Sequence, residues 1–403
     1  MHRAPFPRRF VSPPERRALI NGVTAAVITA VIGFTVVANT GGHETPSASP
    51  TRTTSPSSSP PACVPVYETL PSADPKDGGN LLLGVSVIAP NDGWAVGGSG
   101  DPSNPTLTLY ERWDGATWSA VDGPNPGTIV NELFAVDEMA TDDAWAVGRT
   151  GSGSGDQPLI THFDGLTWTV QSGPVDVTSG ALYGVAAAAT DDVWAVGSTG
   201  DAATGSEQAL ALRFDGITWT ASKILPAVGS GRSLLSGVSA LAPNNVWAVG
   251  YHHNRPLILH FDGISWTQST TDAQGSLRAV SAVAVGEVWA LGTHIQHFAG
   301  VGWGELGRVH GDGELIGVAP VSPEDVWAVG SRTVSPTEGR ALVQRWDGAR
   351  WASVQGNRIA GSAAALTAVS ALADGTVIAV GYRDTKQGRA TVAIRGVDCP
   401  PTG

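Results

Sequence analysis

The chain has 403 residues, a formal net charge of −12, 15% charged residues and only two cysteines. That length suffices for a large buried core. Two cysteines exclude a multi-cysteine zinc cluster, an iron–sulfur cluster and a disulfide-dense scaffold. Residues 1–17 hold five arginines against the single acid Glu15, so the remainder carries −16, a balance that argues against a nucleic-acid partner.

In chain order, residues 1–17 read as a basic cytoplasmic tail. Residues 18–38 (ALINGVTAAVITAVIGFTVVA) are uncharged and as a helix would span about 30 Å, one hydrocarbon core. Every flanking arginine precedes this run, which predicts a single-pass signal anchor at the cell membrane with its N-terminus inside and the rest outside. The competing reading is a signal peptide cleaved after Val36-Val37-Ala38, giving a secreted protein. Residues 39–62 are rich in Pro, Ser and Thr and carry almost nothing apolar. They predict a disordered stalk, since their burial cannot offset chain entropy.

From there the chain repeats. WAVG begins at Trp94, Trp145, Trp194, Trp247 and Trp327, with WALG at Trp289 and IAVG at Ile378, seven copies in all. Six are followed by an aromatic–Asp–Gly–x–x–Trp element, from Trp113, Phe163, Phe214, Phe261, Phe298 and Trp346. Each tetrad is preceded by a small residue and Val (Gly84, Ala135, Gly184, Gly237, Ala279, Gly317, Ala368), ten residues upstream in every copy. The aromatic-to-Trp spacing is always five, whereas the other two connections vary from nine to 20 and from 13 to 18 residues.

Four short β-type segments per repeat of about 50 residues predict one four-stranded antiparallel propeller blade, strands a to d. The fold expected is all-β: a seven-bladed β-propeller over residues 63–399, with 400–403 as a tail. The last copy lacks a strand d. Tyr67 lies 17 residues before Gly84, within the range of a closing Trp, so VYETL (66–70) is expected to complete blade seven and close the ring. Cys63 and Cys399 would then be neighbours, and a disulfide between them is expected outside the cytoplasm.

The Asp–Gly–x–Thr–Trp element resembles a shortened Asp box. Together with WAVG it makes the chain similar to the BNR/Asp-box propellers, to the extracellular WAVG-repeat propellers of actinobacteria and to the photosystem II assembly-factor branch. The resemblance covers residues 64–399 and implies the fold, while this architecture hosts sialidases, binding modules and assembly factors alike. Copy five departs from it, with Ala299 for Asp and Gly302 for Thr, and the kelch doublet occurs only at Gly97-Gly98.

The chemistry reads as structural. Arg112, His162, Arg213, His260, His297 and Arg345 share one slot, so they are spread around the ring and cannot converge on one substrate. Asp114, Asp164, Asp215, Asp262 and Asp347 are expected to cap the c–d turns. No catalytic, cofactor or metal residue is assigned and no cofactor is expected. Any site belongs on the face with variable loops, where Tyr251, His252, His253 and Arg255, with His294 of the neighbouring copy, are the ligand-binding candidates. The function expected is a membrane-anchored, extracytoplasmic, non-catalytic binding or scaffold module for a cell-surface glycan or protein. The alternatives are a glycan-active hydrolase or lyase on the same face and a sensor ectodomain partnering another membrane protein. Enzymatic activity is left unassigned.

Overall fold

A computed structural model of the chain describes residues 65–397 except 76–78, 101–105, 154, 201–204, 223–230, 309–312, 336–337, 357–358 and 360–362. The run at 18–38, the stalk at 39–62, Cys63 and Cys399 lie outside these residues. Among the described residues no helix is long and apolar enough to cross a membrane.

Seven antiparallel sheets follow one another along the chain. Strands a to d of blade 1 are Leu81–Ala89, Asp92–Ser99, Leu107–Trp113 and Trp118–Val121; those of blade 2 are Val130–Ala140, Asp143–Gly151, Asp156–Phe163 and Trp168–Val170. Blade 3 comprises Ala181–Ala189, Asp192–Thr199, Gln208–Phe214 and Trp219–Ala221; blade 4 comprises Ser233–Ala242, Asn245–His252, Arg255–Phe261 and Trp266–Ser269. Blade 5 comprises Leu277–Ala284, Glu287–Gly292, His294–Ala299 and Trp303–Arg308; blade 6 comprises Gly313–Ser322, Asp325–Ser335, Glu338–Trp346 and Trp351–Ser353. Blade 7 holds Ala364–Ala371, Val377–Thr385 and Gly388–Val397, and the last of these pairs antiparallel with Val66–Leu70, Leu70 opposite Ala393. That sheet has a fifth strand, Gln355–Gly356, parallel to Val66–Leu70.

The a strands contact one another in an unbroken cycle, blade 1 touching both blade 2 and blade 7. They are therefore the inner strands of a closed seven-bladed propeller.

The two sequence motifs meet between blades. Trp94 of blade 1 packs against Phe163 and Trp168 of blade 2, ring centroids 4.8 and 5.1 Å apart. Trp194 meets Phe261 and Trp266 of blade 4 in the same way, at 4.8 and 5.1 Å. The seam repeats the pattern with smaller residues, Ile378 lying with Trp113 and Trp118 in one buried cluster. At the five interfaces from blade 1 to blade 6 the tetrad Trp thus meets the closing Trp of the next blade edge to face, a favoured geometry for such rings.

The shared basic slot is consumed largely within its own blade, Arg112 also reaching Glu138 of blade 2 at 2.7 Å. Arg213 donates to Asp192 at 2.7 Å and lies 5.3 Å over the Trp194 ring. Arg345 does the same with Asp325 at 2.6 Å and Trp327 at 5.6 Å. Where the slot is histidine, His162 meets Asp143 at 2.9 Å and His297 meets Glu287 at 2.7 Å. In blades 1, 2, 3, 5 and 6 the acid opening strand b, the base in strand c and the tetrad Trp between them form one stack, whereas in blade 4 Asn245 replaces the acid, 3.0 Å from His260, and in blade 7 Ile378 replaces the Trp. On the inner strands, Ser86, Asp137, Ser239 and Ser370 accept backbone N–H bonds from the next blade at 2.8–3.1 Å.

The c–d turns are locked at both ends. Asp114, Asp164, Asp215, Asp262 and Asp347 each accept two backbone N–H bonds at 2.8–3.0 Å. These bonds hold the carboxyls below the usual carboxylate range. The following glycines sit at φ of +86° to +96°, where L side chains are strained. In blade 5 no carboxylate is present, yet Gly300 keeps a φ of +80°, so the turn survives on backbone preference.

Candidate functional site

In all seven blades the ladder between strands a and b slips at one shared place, skipping Leu83, Phe134, Tyr183, Ser236, Arg278, Ile316 and Thr367, and in blades 1 to 6 it slips a second time beside the a–b turn. Such a bulge leaves one residue unpaired and re-aims its side chain. The skipped positions form one level of the inner strands, near the end where strands a begin. That end carries the variable b–c and d–a connections.

On blades 2, 3 and 5 this level holds Phe134, Tyr183 and Arg278, and on blade 4, where it is Ser236, Tyr251 pairs with Leu234 two residues before it. The rings of Phe134 and Tyr183 meet across two blades, centroids 5.2 Å apart. The Arg149 guanidinium lies 5.7 Å over Phe134 and is held by Glu132 at 2.9 Å and Asp156 at 2.8 Å. Arg278 bridges to Glu314 of blade 6 at 2.8 Å. Arg232, just before strand a of blade 4, donates to the buried carboxylate of Glu207 and lies 5.8 Å over the Tyr251 ring. Burial first, and then the Glu207 charge, pushes the Tyr183 and Tyr251 hydroxyls above their ordinary value, so both remain neutral donors. Arg149, Arg232 and Arg278 stay roughly half exposed. The arrangement offers aromatic faces, phenol donors and steered guanidinium groups around one opening. Among the described residues no group of three or more His, Cys, Asp or Glu is placed to hold a metal.

The segment Tyr251-His252-His253-Asn254-Arg255 differs in form from the loop expected. It is a tight hairpin: His252 pairs with Arg255 across two residues of positive φ, His253 at 47° and Asn254 at 63°. The His253 N–H donates to the Arg232 carbonyl at 3.1 Å. Its imidazole lies so close over Gly231 that a Cβ there would fall 1.9 Å from the ring. The hairpin is thereby clasped to the connection that carries Arg232. The His252 and His253 rings are 4.3 Å apart, and burial with the neighbouring His253 lowers the His252 pKa. Tyr251 thus joins the mouth cluster. His294, expected on a short rim loop, lies buried in strand c of blade 5, 3.2 Å from Glu305. That b–c connection is so short that position 294 already belongs to the ladder, opposite Arg308.

Phe134, Tyr183, Arg149, Arg232 and Glu207 were not singled out from the sequence. Phe134 and Tyr183 stand just before the small a-strand residue, at a position that differs in every copy and so carries no repeat signal.

No known family model matches the chain, and no curated protein matches it in sequence. Solved structures do match. YCF48 bound to a D1 peptide is 16% identical, covering 85% of this chain and 100% of that one with a TM-score of 0.54. YCF48 from Cyanidioschyzon merolae is also 16% identical, covering 82% and 98% at 0.53. The RRP9 WD40 repeats are 12% identical, covering 83% and 99% at 0.56. The likeness is one of fold.

Proposed function

We propose that this propeller is a non-catalytic binding or scaffold module that engages a protein partner with its variable-loop face. The observation that carries the reading is the cross-blade cluster of Phe134, Tyr183 and Tyr251 with half-exposed Arg149, Arg232 and Arg278. Aromatic and arginine side chains are the residues that anchor protein interfaces. A similar propeller holds a peptide, which favours a protein over a glycan as the partner class. In this reading residues 18–38 anchor the chain in the cell membrane with the propeller outside. Val66–Leu70 serves as the strand that closes the ring, and a Cys63–Cys399 disulfide staples it. Non-reducing mass spectrometry finding both thiols free would remove the staple without touching the binding reading.

The test is display of random peptides against the full chain, followed by titration of those enriched. Saturable binding of intact peptide, weakened about tenfold or more by Tyr183→Ala and by Arg232→Ala, supports the reading, since removal of one anchor typically costs 2 kcal/mol or more. No enrichment, binding indifferent to both variants, or release of product from a glycan substrate overturns it.

A further inference from the structure

The opposite face, where the Asp–Gly turns lie, has a feature of its own. The third residue of the c–d turn is a large aliphatic in four consecutive blades. Leu166 is 86% exposed, Ile217 85%, Ile264 91% and Val301 98%. The same slot is Ala116 in blade 1 and Ala349 in blade 6. Single exposed aliphatics are ordinary on a protein surface, but one equivalent slot filled this way on an unbroken arc is a patterned surface. In blades 2 to 4 the tips are also rigid, each set by a turn whose Asp carboxylate takes two N–H groups.

The chain itself indicates what covers these tips. In blade 7, Val66 pairs with Val397 at the end of strand c, the end at which the other blades make their Asp–Gly turns. Everything N-terminal of Val66 is therefore attached at this face. That part of the chain includes the uncharged run at 18–38, and only 24 residues, 39–62, separate it from Cys63. Val66 and Val397 are themselves partly exposed there.

We propose that the Asp–Gly turn face rests on the bilayer, with Leu166, Ile217, Ile264 and Val301 entering the headgroup–acyl boundary and the variable-loop face turned outward. The inference rests on the reading of residues 18–38 as an anchor. Apolar area buried at the interface supplies the attraction, and the tether makes a weak contact effective by holding it at high local concentration. The turn aspartates, kept ionised by their N–H bonds, set the lipid preference: zwitterionic headgroups are accepted and anionic ones repel.

The experiment reconstitutes the full chain in phosphatidylcholine vesicles containing a photoactivatable phosphatidylcholine and maps the lipid adducts by mass spectrometry. Adducts are expected on residues 164–168, 215–219, 262–266 and 299–303. They should be sparse at Ala116 and Ala349 and missing from 251–255. The combined variant Leu166→Ser, Ile217→Ser, Ile264→Ser and Val301→Ser should insert normally, melt at the same temperature and lose these adducts. Added phosphatidylglycerol should reduce them in the unaltered chain. An inserted chain whose tips are unlabelled, labelled equally with the opposite face, or cross-linked to a second copy instead of lipid overturns this inference alone. A chain that fails to insert overturns the anchor reading and this one with it.

Discussion

Glu111 of blade 1 and Glu138 of blade 2 are buried, and loss of hydration pushes both carboxyls up to about 7. Asp137 is raised by the same cause to about 6. Arg112 opposes the shift at Glu138, whereas Asp92 adds to it. A carboxyl whose folded pKa exceeds its unfolded value near 4 favours the native state in its protonated form. That stabilisation is complete below pH ~4 and is lost as pH rises through 6 to 7. The turn aspartates act oppositely, but only below their ordinary values. The melting temperature is therefore expected to rise on going from pH 8 to pH 5, and Glu111→Gln should flatten the rise. A flat profile in the unaltered chain would refute the assignment. Trp194 is fully buried between blades 3 and 4, and Trp194→Ala should cost about 3–5 kcal/mol in denaturant unfolding. At this scale the sequence announces the repeated residues well. It conceals Phe134 and Tyr183, because a side chain free to differ between copies leaves no periodic trace.

At the scale of strands and turns, the constant spacings in the sequence correspond to tight a–b and c–d turns, and the varying ones to the connections at the mouth. The bulge in strand a was not legible, since a skipped residue leaves spacing unchanged. It does explain the tetrad glycine. A Cβ on Gly197 would fall 2.0 Å from the Ala181 carbonyl oxygen, and one on Gly250 1.9 Å from that of Leu234. Only glycine admits strand a so close to strand b. Gly197→Ala should therefore destabilise by about 3 kcal/mol or more. Gly300→Ala, where a Cβ meets nothing within 4 Å but φ is +80°, should cost only about 1 kcal/mol. Equal losses in chemical denaturation would contradict this steric account. The pairing of Arg232 with Glu207 was equally hidden, because it depends on how two connections from different blades come together.

For the molecule as a whole, the sevenfold arithmetic of the repeats was enough to read the ring, and the copy without a strand d is where the sequence reading puts Val66–Leu70. The pairing of Val66–Leu70 with Gly388–Val397 gives that placement an energetic consequence. Glu111 accepts hydrogen bonds from Ser72 at 3.1 Å and from the Ala73 N–H at 3.4 Å. Thr391 donates to Asp74 at 2.8 Å. The entering segment is thus tied to blades 1 and 7 together. With thiols reduced, so that no Cys63–Cys399 staple contributes, a chain lacking residues 1–64 should unfold in one transition close to that of the full protein. One lacking residues 1–70 should lose cooperativity, because blade 7 is left with an open edge. Identical unfolding of the two would show that the strand is dispensable.

The central claim is that the inner-strand bulges build a protein-binding mouth on one face of the ring. Hydrogen exchange of the full chain, with and without a saturating enriched peptide, tests it most directly. The account expects new protection in 130–134, 181–184, 232–236 and 251–255, with the Asp–Gly turns unchanged. Protection confined to those turns, or peptide binding with no protection at the mouth, would contradict it.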